Sequence, residues 1–267
     1  MKIRPATLVD VDAIVAVLHA NDEKHLDDAY VGHLLATGRV VVALVGERLI
    51  GVGAAIERGG VTHIADLYVD PSHQGAGVGG KLLNALDPVR TPCTTFSSSD
   101  PRALPLYMRA GLVPWWPLLY FLGRPSRPLP APFAVERASS GDVMAIDAMV
   151  LAGRGAPDHD YYANQPGVLS FIVRDGSRAV AAGHTQNGVI EMLSIVASAD
   201  ATNAVTSVIS FLADSEPGPI MTALPGPHPS VRTVLDAGIP ITAHDLYCAT
   251  EFGLVDPVRR LPNPGLC

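Results

Sequence analysis

Hydrophobic and polar positions recur along the chain at helix-like and strand-like spacings. The first half predicts a strand, two helices, an antiparallel hairpin, a third strand, a helix, a strand, a helix and a terminal strand. We expect these elements at about residues 2–7, 8–20, 26–37, 39–46, 48–57, 61–69, 77–87, 92–98, 100–110 and 117–123. This order predicts an α/β fold with a mixed, mostly antiparallel sheet flanked by helices.

The second half repeats the pattern of the first. Three pairs of segments match: 6–14 with 138–146, 39–56 with 170–184, and 106–112 with 233–239. Between the halves, residues 124–132 carry four prolines, which lack a backbone donor and favour extended chain. The sequence therefore predicts two tandem domains, 1–123 and 133–267, joined by a linker at 124–132.

Composition narrows the class of protein. With 48% hydrophobic and 17% charged residues, the chain can build a core and is not disordered. A net charge of −7 argues against a nucleic-acid partner, and no apolar run reaches the ~20 residues of a membrane span. The 3 cysteines form no CxxC pair and the 9 histidines show no ligand spacing. These features predict a cytoplasmic protein without a metal site.

A glycine-rich loop follows the third strand and leads into a helix that begins near Gly77. Glycines allow close backbone approach, and the first N–H groups of a helix attract anions, so a phosphate-bearing ligand suits this loop. Two nucleotide patterns fit, GxGxxG over 75–80 and Q-x-x-G-x-G over 74–79. The antiparallel hairpin before the loop disfavours the first, a dinucleotide fingerprint. A glycine turn without any ligand is the remaining alternative.

The second pattern carries a family resemblance. The loop Gln74–Gly79 follows Asp66-Leu-Tyr-Val69-Asp-Pro, and the chain also has Ile3-Arg4-Pro5-Ala6-Thr7 and the later segment Ser98–Leu112. In these motifs, residues 2–123 resemble the GNAT superfamily of acyl-CoA N-acyltransferases. The resemblance implies acetyl-CoA as co-substrate.

The resemblance also implies which residues hold that co-substrate. The strand from Asp66 to Val69 would splay from its neighbour and pair with the pantetheine arm through its backbone. The pyrophosphate would lie on main-chain N–H groups, and Asp100 stands where many family members have asparagine. The implied binding residues are Leu67, Tyr68, Val69, Gln74, Gly75, Ala76, Gly77, Val78, Gly79 and Asp100.

Two further residues are candidates for the chemistry. Tyr107 matches the family tyrosine that protonates the leaving thiolate, and a phenol is a proton donor at neutral pH. Asp66 is the candidate base, with a structural carboxylate that pairs an arginine as the alternative, and Glu57 and His63 as weaker candidates. An acidic loop over 21–28 suits a cationic amine.

The second half lacks these features. Asp200, Asn203 and Val205 stand where the first half has Gln74, Gly77 and Gly79, so their side chains would obstruct a pyrophosphate. The half therefore resembles a degenerate copy that shapes the acceptor pocket, with a polar and aromatic cluster at 158–162. The tail at 254–267 is expected to pack extended over the body.

These observations predict an enzyme. We expect an N-acetyltransferase that moves an acetyl group from acetyl-CoA to a primary amine of a small molecule by direct attack in a ternary complex. A longer acyl-CoA or aminoacyl-tRNA donor, and a non-catalytic acyl-CoA-binding module, are the alternatives. The partner is expected to be the small-molecule amine, with no membrane, and the protein to be a monomer or homodimer.

Overall fold

The computed structural model describes residues 1–87, 91–151 and 155–266, and the predicted mixed α/β fold is confirmed. The first half comprises β1 Lys2–Pro5, α1 Val11–His19, α2 Asp28–Thr37, β2 Gly38–Val45, β3 Arg48–Arg58, β4 Val61–Val69, α3 Val78–Leu86, β5 Cys93–Ser97, α4 Ala103–Arg109 and β6 Val113–Gly123. The second half comprises β7 Ala134–Arg137, α5 Ser140–Leu151, α6 Ala156–Ala163, β8 Val168–Asp175, β9 Arg178–Gln186, β10 Val189–Ile195, α7 Ala201–Ser215, β11 Ile220–Pro225, α8 Ser230–Asp236, β12 Ile241–Ala249 and β13 Arg260–Leu261.

Several predicted boundaries differ from the structure by a few residues, and two of these differences have a clear physical reason. The helix expected at 100–110 begins at Ala103, because the Asp100 carboxylate accepts the Arg102 backbone N–H (2.8 Å) and closes a turn there. The strand expected at 117–123 begins at Val113, where it already pairs with Ala249 of β12. The segment contains two prolines, and the first, Pro114, lies beside an irregularity in the β6–β12 register.

In the described part of the chain the strands form one continuous sheet. Its order is β1-β2-β3-β4-β5-β12-β6-β11-β10-β9-β8-β7, with β13 paired to β10. The terminal strands of the two halves are exchanged. β12 of the second half pairs with β5 of the first, and β6 of the first pairs with β11 of the second. The division into two domains at 124–132 stays a prediction. Because the terminal strands are exchanged, each half relies on a strand from the other half to complete its part of the sheet.

Helices cover both faces of this sheet. In the first half, α1 and α2 pack on one face around Ile14, Leu18 and Leu34, and α3 and α4 pack on the other around Leu82 and Leu83. The second half has its own core between α5, α7 and the strands. Tyr162, Met192 and Leu266 belong to the first of these clusters, so the second half contributes to the core of the first.

The described residues contain no helix long and apolar enough to cross a membrane. Within the same ranges no group of three or more His, Cys, Asp or Glu residues is arranged to hold a metal ion. Cys93 and Cys248 are buried free thiols, and Cys267 lies outside the described residues.

Candidate active site

A groove of about 750 Å³ opens where β4 and β5 separate. β4 stays paired with β3 as far as Val69, whereas its parallel pairing with β5 ends at Ile64 and Thr95. The Thr95 hydroxyl donates to the Ile64 carbonyl oxygen (3.0 Å) and closes the ladder at this point. Beyond it, the edge of β4 that faces away from β3 presents backbone N–H and C=O groups that can pair with an extended ligand.

Most residues predicted for the site line this groove: Leu67, Tyr68, Val69, Gln74, Gly75, Gly77, Val78, Gly79, Asp100 and Tyr107. Two do not. Asp66 is buried in β4 directly beside the lining residue Leu67, and Ala76 is exposed on the loop. The binding and catalytic roles of these residues stay predictions.

The glycine loop forms one end of the groove. Gly75 and Gly77 have φ angles of +77° and +75°, a left-handed conformation that side chains other than glycine rarely adopt. A Cβ at either position would meet no protein atom within 4 Å and would project into open space. α3 begins at the next residue, Val78, so its first N–H groups and the positive end of its dipole lie at this loop. The geometry suits an anion such as a pyrophosphate.

The side chain of Gln74 holds the loop in place. Its Nε2 donates to the Asn21 Oδ1 (3.0 Å) and to the Val69 carbonyl oxygen (3.0 Å). The amide of Asn21 in turn donates to the Val17 carbonyl oxygen at the end of α1 (2.8 Å). Gln74 therefore ties the loop to β4 and α1, and the loop offers its backbone to an anion.

Asp66 is a buried carboxyl, only 6% exposed. Burial raises its pKa to about 7, the nearby Tyr30 hydroxyl opposes this shift, and the charge of Glu23 adds to it. No arginine or lysine of the described residues forms an ion pair with it, unlike the structural alternative considered from the sequence. A carboxyl that titrates near neutral pH is suited to accept a proton.

Tyr107 lies on α4 and lines the groove, 7% exposed. Burial raises its pKa far above the usual value, the Thr95 hydroxyl opposes this rise, and the charge of Asp66 adds to it. The phenol is therefore fully protonated at neutral pH and able to donate. Tyr107 lines the groove and Asp66 lies on β4 beside the lining residue Leu67.

The predicted acidic loop contributes two residues to the groove wall, Asn21 and Glu23. Glu23 lines the groove and accepts a hydrogen bond from the Tyr68 hydroxyl (2.8 Å). Sequence reasoning missed a second carboxyl, Asp245 on β12, which accepts a hydrogen bond from Tyr120 on β6 (2.6 Å). Burial raises the pKa of Asp245, and Glu23 adds to that shift, so the two carboxylates share one electrostatic neighbourhood. No local signal could reveal this pair, because it depends on the strand exchange.

The other candidates lie elsewhere. Glu57 is exposed at the end of β3, and His63 is buried between the Thr94 hydroxyl and the Pro264 carbonyl oxygen. Asp158 pairs with His33 (2.7 Å) and Arg58 (3.0 Å). The cluster at 158–162 therefore joins the two halves.

The second half has the same divergence between strands, but the chain itself fills it. β10 pairs in parallel with β11 only at Val189 and Ile190, and further along it pairs antiparallel with β13 of the tail. Arg259 donates to the Val196 and Ala199 carbonyl oxygens (3.2 and 2.8 Å), next to the start of α7. The Asp200 carboxylate also caps α7 by accepting the Asn203 N–H (2.8 Å). The cleft thus has neither free strand edge nor free helix N-terminus.

Known proteins share this arrangement. The model of the acetyltransferase (GNAT) domain matches residues 36–113. Residues 36–113 form a GNAT domain. The match spans the hairpin, β4, the glycine loop and α4, which are the elements that build the groove. No curated protein sequence matches the chain significantly.

Solved structures show that the whole chain has the tandem GNAT fold. A putative acetyltransferase from Pyrococcus horikoshii is 13% identical, with a TM-score of 0.78 over 98% of this chain and 93% of that one. A tandem GNAT protein from the clavulanic acid biosynthesis pathway is 13% identical, with a TM-score of 0.66 over 96% and 99%. A GCN5-related N-acetyltransferase from Sphaerobacter thermophilus is 11% identical, with a TM-score of 0.61 over 96% and 98%. At these identities the likeness concerns the fold.

Proposed function

We propose that this tandem GNAT protein transfers an acetyl group from acetyl-CoA to a primary amine of a small molecule. One observation carries the proposal: the groove between β4 and β5 joins a free strand edge, a glycine-lined helix N-terminus and a buried tyrosine in one continuous space. A binding module would need the first two features only. The third, together with a carboxyl whose pKa is about 7, supports catalysis.

The groove fits acetyl-CoA. Open space at the Cβ positions of Gly75 and Gly77 leaves room for phosphate oxygens against the backbone. From Asp66 to Tyr68 the outer edge of β4 has no neighbouring strand in the described part of the chain, so its backbone groups can pair with the amides of the pantetheine arm. The Val69 carbonyl oxygen already accepts hydrogen bonds from Gln74 and Asn21. When bound, acetyl-CoA supplies an acetyl group already activated as a thioester.

The protein's own residues would manage the protons. An amine arrives as an ammonium ion, and Asp66 takes its proton so that the nitrogen can form the new bond to the acetyl carbon. Because Asp66 lies just behind the lining residues, we expect a water molecule to carry this proton. Tyr107 gives its hydroxyl proton to the sulfur as the carbon–sulfur bond breaks. The second proton that the nitrogen loses on becoming an amide passes to solvent, and solvent reprotonates Tyr107. The products are an amide and free CoA thiol.

The acceptor side is negatively charged. Glu23 and Asp245 are partly buried carboxylates, and neither has an arginine or lysine partner among the described residues. They would hold a cationic amine near Asp66. Asp245 lies on the exchanged strand β12, outside the residues that line the groove, so the second half of the chain would contribute to the acceptor side through its charge.

The test begins with binding and then turns to chemistry. Calorimetry with acetyl-CoA and CoA should give one site per chain, and a thiol-release screen over small amines should identify the acceptor. Thiol release only with long acyl donors would replace acetyl by another acyl group. Failure of both ligands to bind at millimolar concentration would refute the proposal.

A further inference from the structure

A chain of hydrogen bonds runs through the interior of the second half, where α6 packs against the sheet. The Ser170 hydroxyl on β8 lies 3.0 Å from the His184 Nδ1 on β9, and the His184 Nε2 lies 2.9 Å from the His159 Nδ1 on α6. The His159 Nε2 lies 3.1 Å from a carboxylate oxygen of Asp147 on α5. Both histidines and Asp147 are at most 1% exposed, and none of these residues lines the groove between β4 and β5.

The hydrogen-bond partners fix the position of the hydrogen on each ring. Although burial raises it, the pKa of Asp147 is held at about 2 by Arg260 and by hydrogen bonds, so this carboxylate can only accept. The His159 Nε2 therefore carries a hydrogen, and in a neutral ring its Nδ1 accepts. The hydrogen between the two rings then belongs to the His184 Nε2, and the Ser170 hydroxyl donates to the His184 Nδ1. Both rings are thus neutral and carry their hydrogen on Nε2.

The charges around the two rings balance only when both rings are neutral. The other carboxylate oxygen of Asp147 accepts a hydrogen bond from the Arg260 Nη1 on β13 (2.6 Å), so one anion faces one cation. Tyr162 of α6 stacks on His184 with 4.8 Å between ring centroids and brings no charge at neutral pH. A proton on either imidazole would add an uncompensated charge to a buried site. Burial lowers the pKa of His184 to about 3, and the neighbouring His159 and Arg260 add to this shift.

Helix α6 connects this interior to the first half of the chain. The residue before His159, Asp158, accepts hydrogen bonds from His33 on α2 (2.7 Å) and Arg58 on β3 (3.0 Å). Further along α6, the Tyr161 ring stacks on the His33 ring with 4.8 Å between centroids. A movement of α6 that separates the two buried histidines therefore also moves the carboxylate that joins the two halves.

We propose that the His159–His184 pair is an acid-sensitive switch at the junction of the two halves: it holds α6 against β9 while both rings are neutral, and α6 is released when the rings take up protons. Once α6 is released, both imidazoles are in water and have their ordinary pKa of about 6.5. The packed arrangement therefore has its full stability above pH 6.5 and loses stability as the pH falls below that value.

The other titratable groups at this junction respond to acid in the opposite direction. A proton on His33 strengthens its contact with Asp158. Burial raises the pKa of Glu191 on β10 to about 7, so mild acid favours its buried, protonated form. Neither group would release α6 in mild acid, so such a release points to the pair of His159 and His184.

The first measurement is the position of the hydrogen on each ring of the wild-type protein. Histidine labelled with ¹⁵N is observed by NMR at pH 7, and the ring signals of His159 and His184 are assigned through their backbone correlations. Both rings should be neutral with the hydrogen on Nε2. A charged ring, or a hydrogen on Nδ1 of either ring, would overturn the inference, and this measurement requires no variant to fold.

Hydrogen exchange of the α6 backbone amides then measures the release. Their protection factors, which correct for the intrinsic pH dependence of exchange, are compared at pH 6.5 and pH 5.5. In the wild type they should fall by up to about thirtyfold, because two imidazoles take up protons on release. In His184→Gln, whose side chain stays uncharged, the fall should shrink to about fivefold, as expected for one imidazole.

His228→Gln is the matched control. His228 is a second buried histidine of the same half, 2% exposed, and its Nδ1 lies 2.6 Å from the Ser230 hydroxyl, away from α6 in sequence. This variant should keep the wild-type fall in α6 protection. Unchanged protection in the wild type, an equal fall in wild type and His184→Gln, or the same reduced fall in His228→Gln would each overturn the inference. The measurements need neither acetyl-CoA nor an acceptor, so their outcome is independent of the proposed function.

Discussion

At the scale of single residues, the buried charge of Asp66 should cost stability at high pH. Its pKa in the folded protein is about 7, above the ordinary value of 3.8, so folding favours the protonated form. The stability this provides is complete below the ordinary pKa and is lost as the pH rises through about 7. Asp66→Asn keeps the shape without the charge. Relative to wild type, it should be more stable at pH 8 than at pH 5, by up to a few kcal/mol.

Urea unfolding of the two proteins at both pH values measures this difference. A variant that gains nothing on going from pH 5 to pH 8 would contradict the assignment of a raised pKa. The same variant should lose acetyl transfer while it retains CoA binding, since Asp66 does not line the groove.

Tyr107 should matter for chemistry and not for binding. Tyr107→Phe removes the hydroxyl that donates to the leaving sulfur and keeps the ring that packs on the sheet. We expect kcat to fall by a factor of about 10² to 10⁴, the usual contribution of a general acid. Steady-state kinetics measures the fall in kcat, and calorimetry with CoA is the control for unchanged binding. Full turnover at every pH would show that another group is the acid.

The sequence was sufficient to predict site residues whose partners lie close to them along the chain. The glycine loop, Asp66 and Tyr107 could be placed because strand, turn and helix follow one another within about 45 residues. Other contacts could not be predicted, because the two partners lie far apart in the chain. Asp245 meets Tyr120 only through the exchange of β6 and β12. Gly265 meets Tyr30 only because of the path of the tail. The repeat of the two halves predicted two tandem domains, each with its own sheet, and gave no sign of the strand exchange.

At the scale of elements, one added side chain in the loop before α3 should block the binding of CoA. Gly77→Asn places a side chain in the space for the phosphates and should weaken CoA binding by at least tenfold, since each charge-assisted N–H contact contributes about 1.5–3 kcal/mol. Gly46→Asn is the matched control, because Gly46 has a φ of +60° and open space but lies in the hairpin turn. Asn203→Gly should create no second site, because β13 fills that cleft. Two CoA molecules per chain in a calorimetric titration would contradict this.

The tail element β13 should stabilise the second half through one buried ion pair. Arg260 is 4% exposed and donates to Asp147 (2.6 Å) and Ser194 (2.7 Å). Burial raises the pKa of Asp147, but the charge of Arg260 together with the hydrogen bonds from His159 and Ser194 outweighs burial and holds that pKa at about 2. Arg260→Leu leaves the carboxylate without its cation and should cost about 3–5 kcal/mol.

Denaturant unfolding at pH 7 measures that cost, and adding Asp147→Asn should recover part of it. The exposed pair of Arg178 and Asp175 (3.1 Å) is the control, and Arg178→Leu should change stability by less than about 1 kcal/mol. Equal losses for the two arginine variants would mean that β13 does not hold the second cleft closed.

At the scale of the whole molecule, the exchanged strands make the two halves depend on each other. Without the second half, β5 loses its neighbour β12, and β6 loses both β11 and β12. A fragment of residues 1–123 would expose long unpaired strand edges and the acceptor side would lack Asp245.

A cut in the linker tests this dependence. A protease site inserted between Pro130 and Ala131, both exposed, allows the folded chain to be nicked without disturbing a strand. Because β6 and β12 lie side by side in the sheet, the nicked protein should elute as one complex and keep CoA affinity and acceptor kinetics. The separate 1–123 fragment should aggregate or unfold, and mixing it with a 131–267 fragment during refolding should restore binding. A soluble, monomeric 1–123 fragment with the acceptor kinetics of the intact chain would show instead that the first half is an autonomous enzyme and that the exchange carries no function.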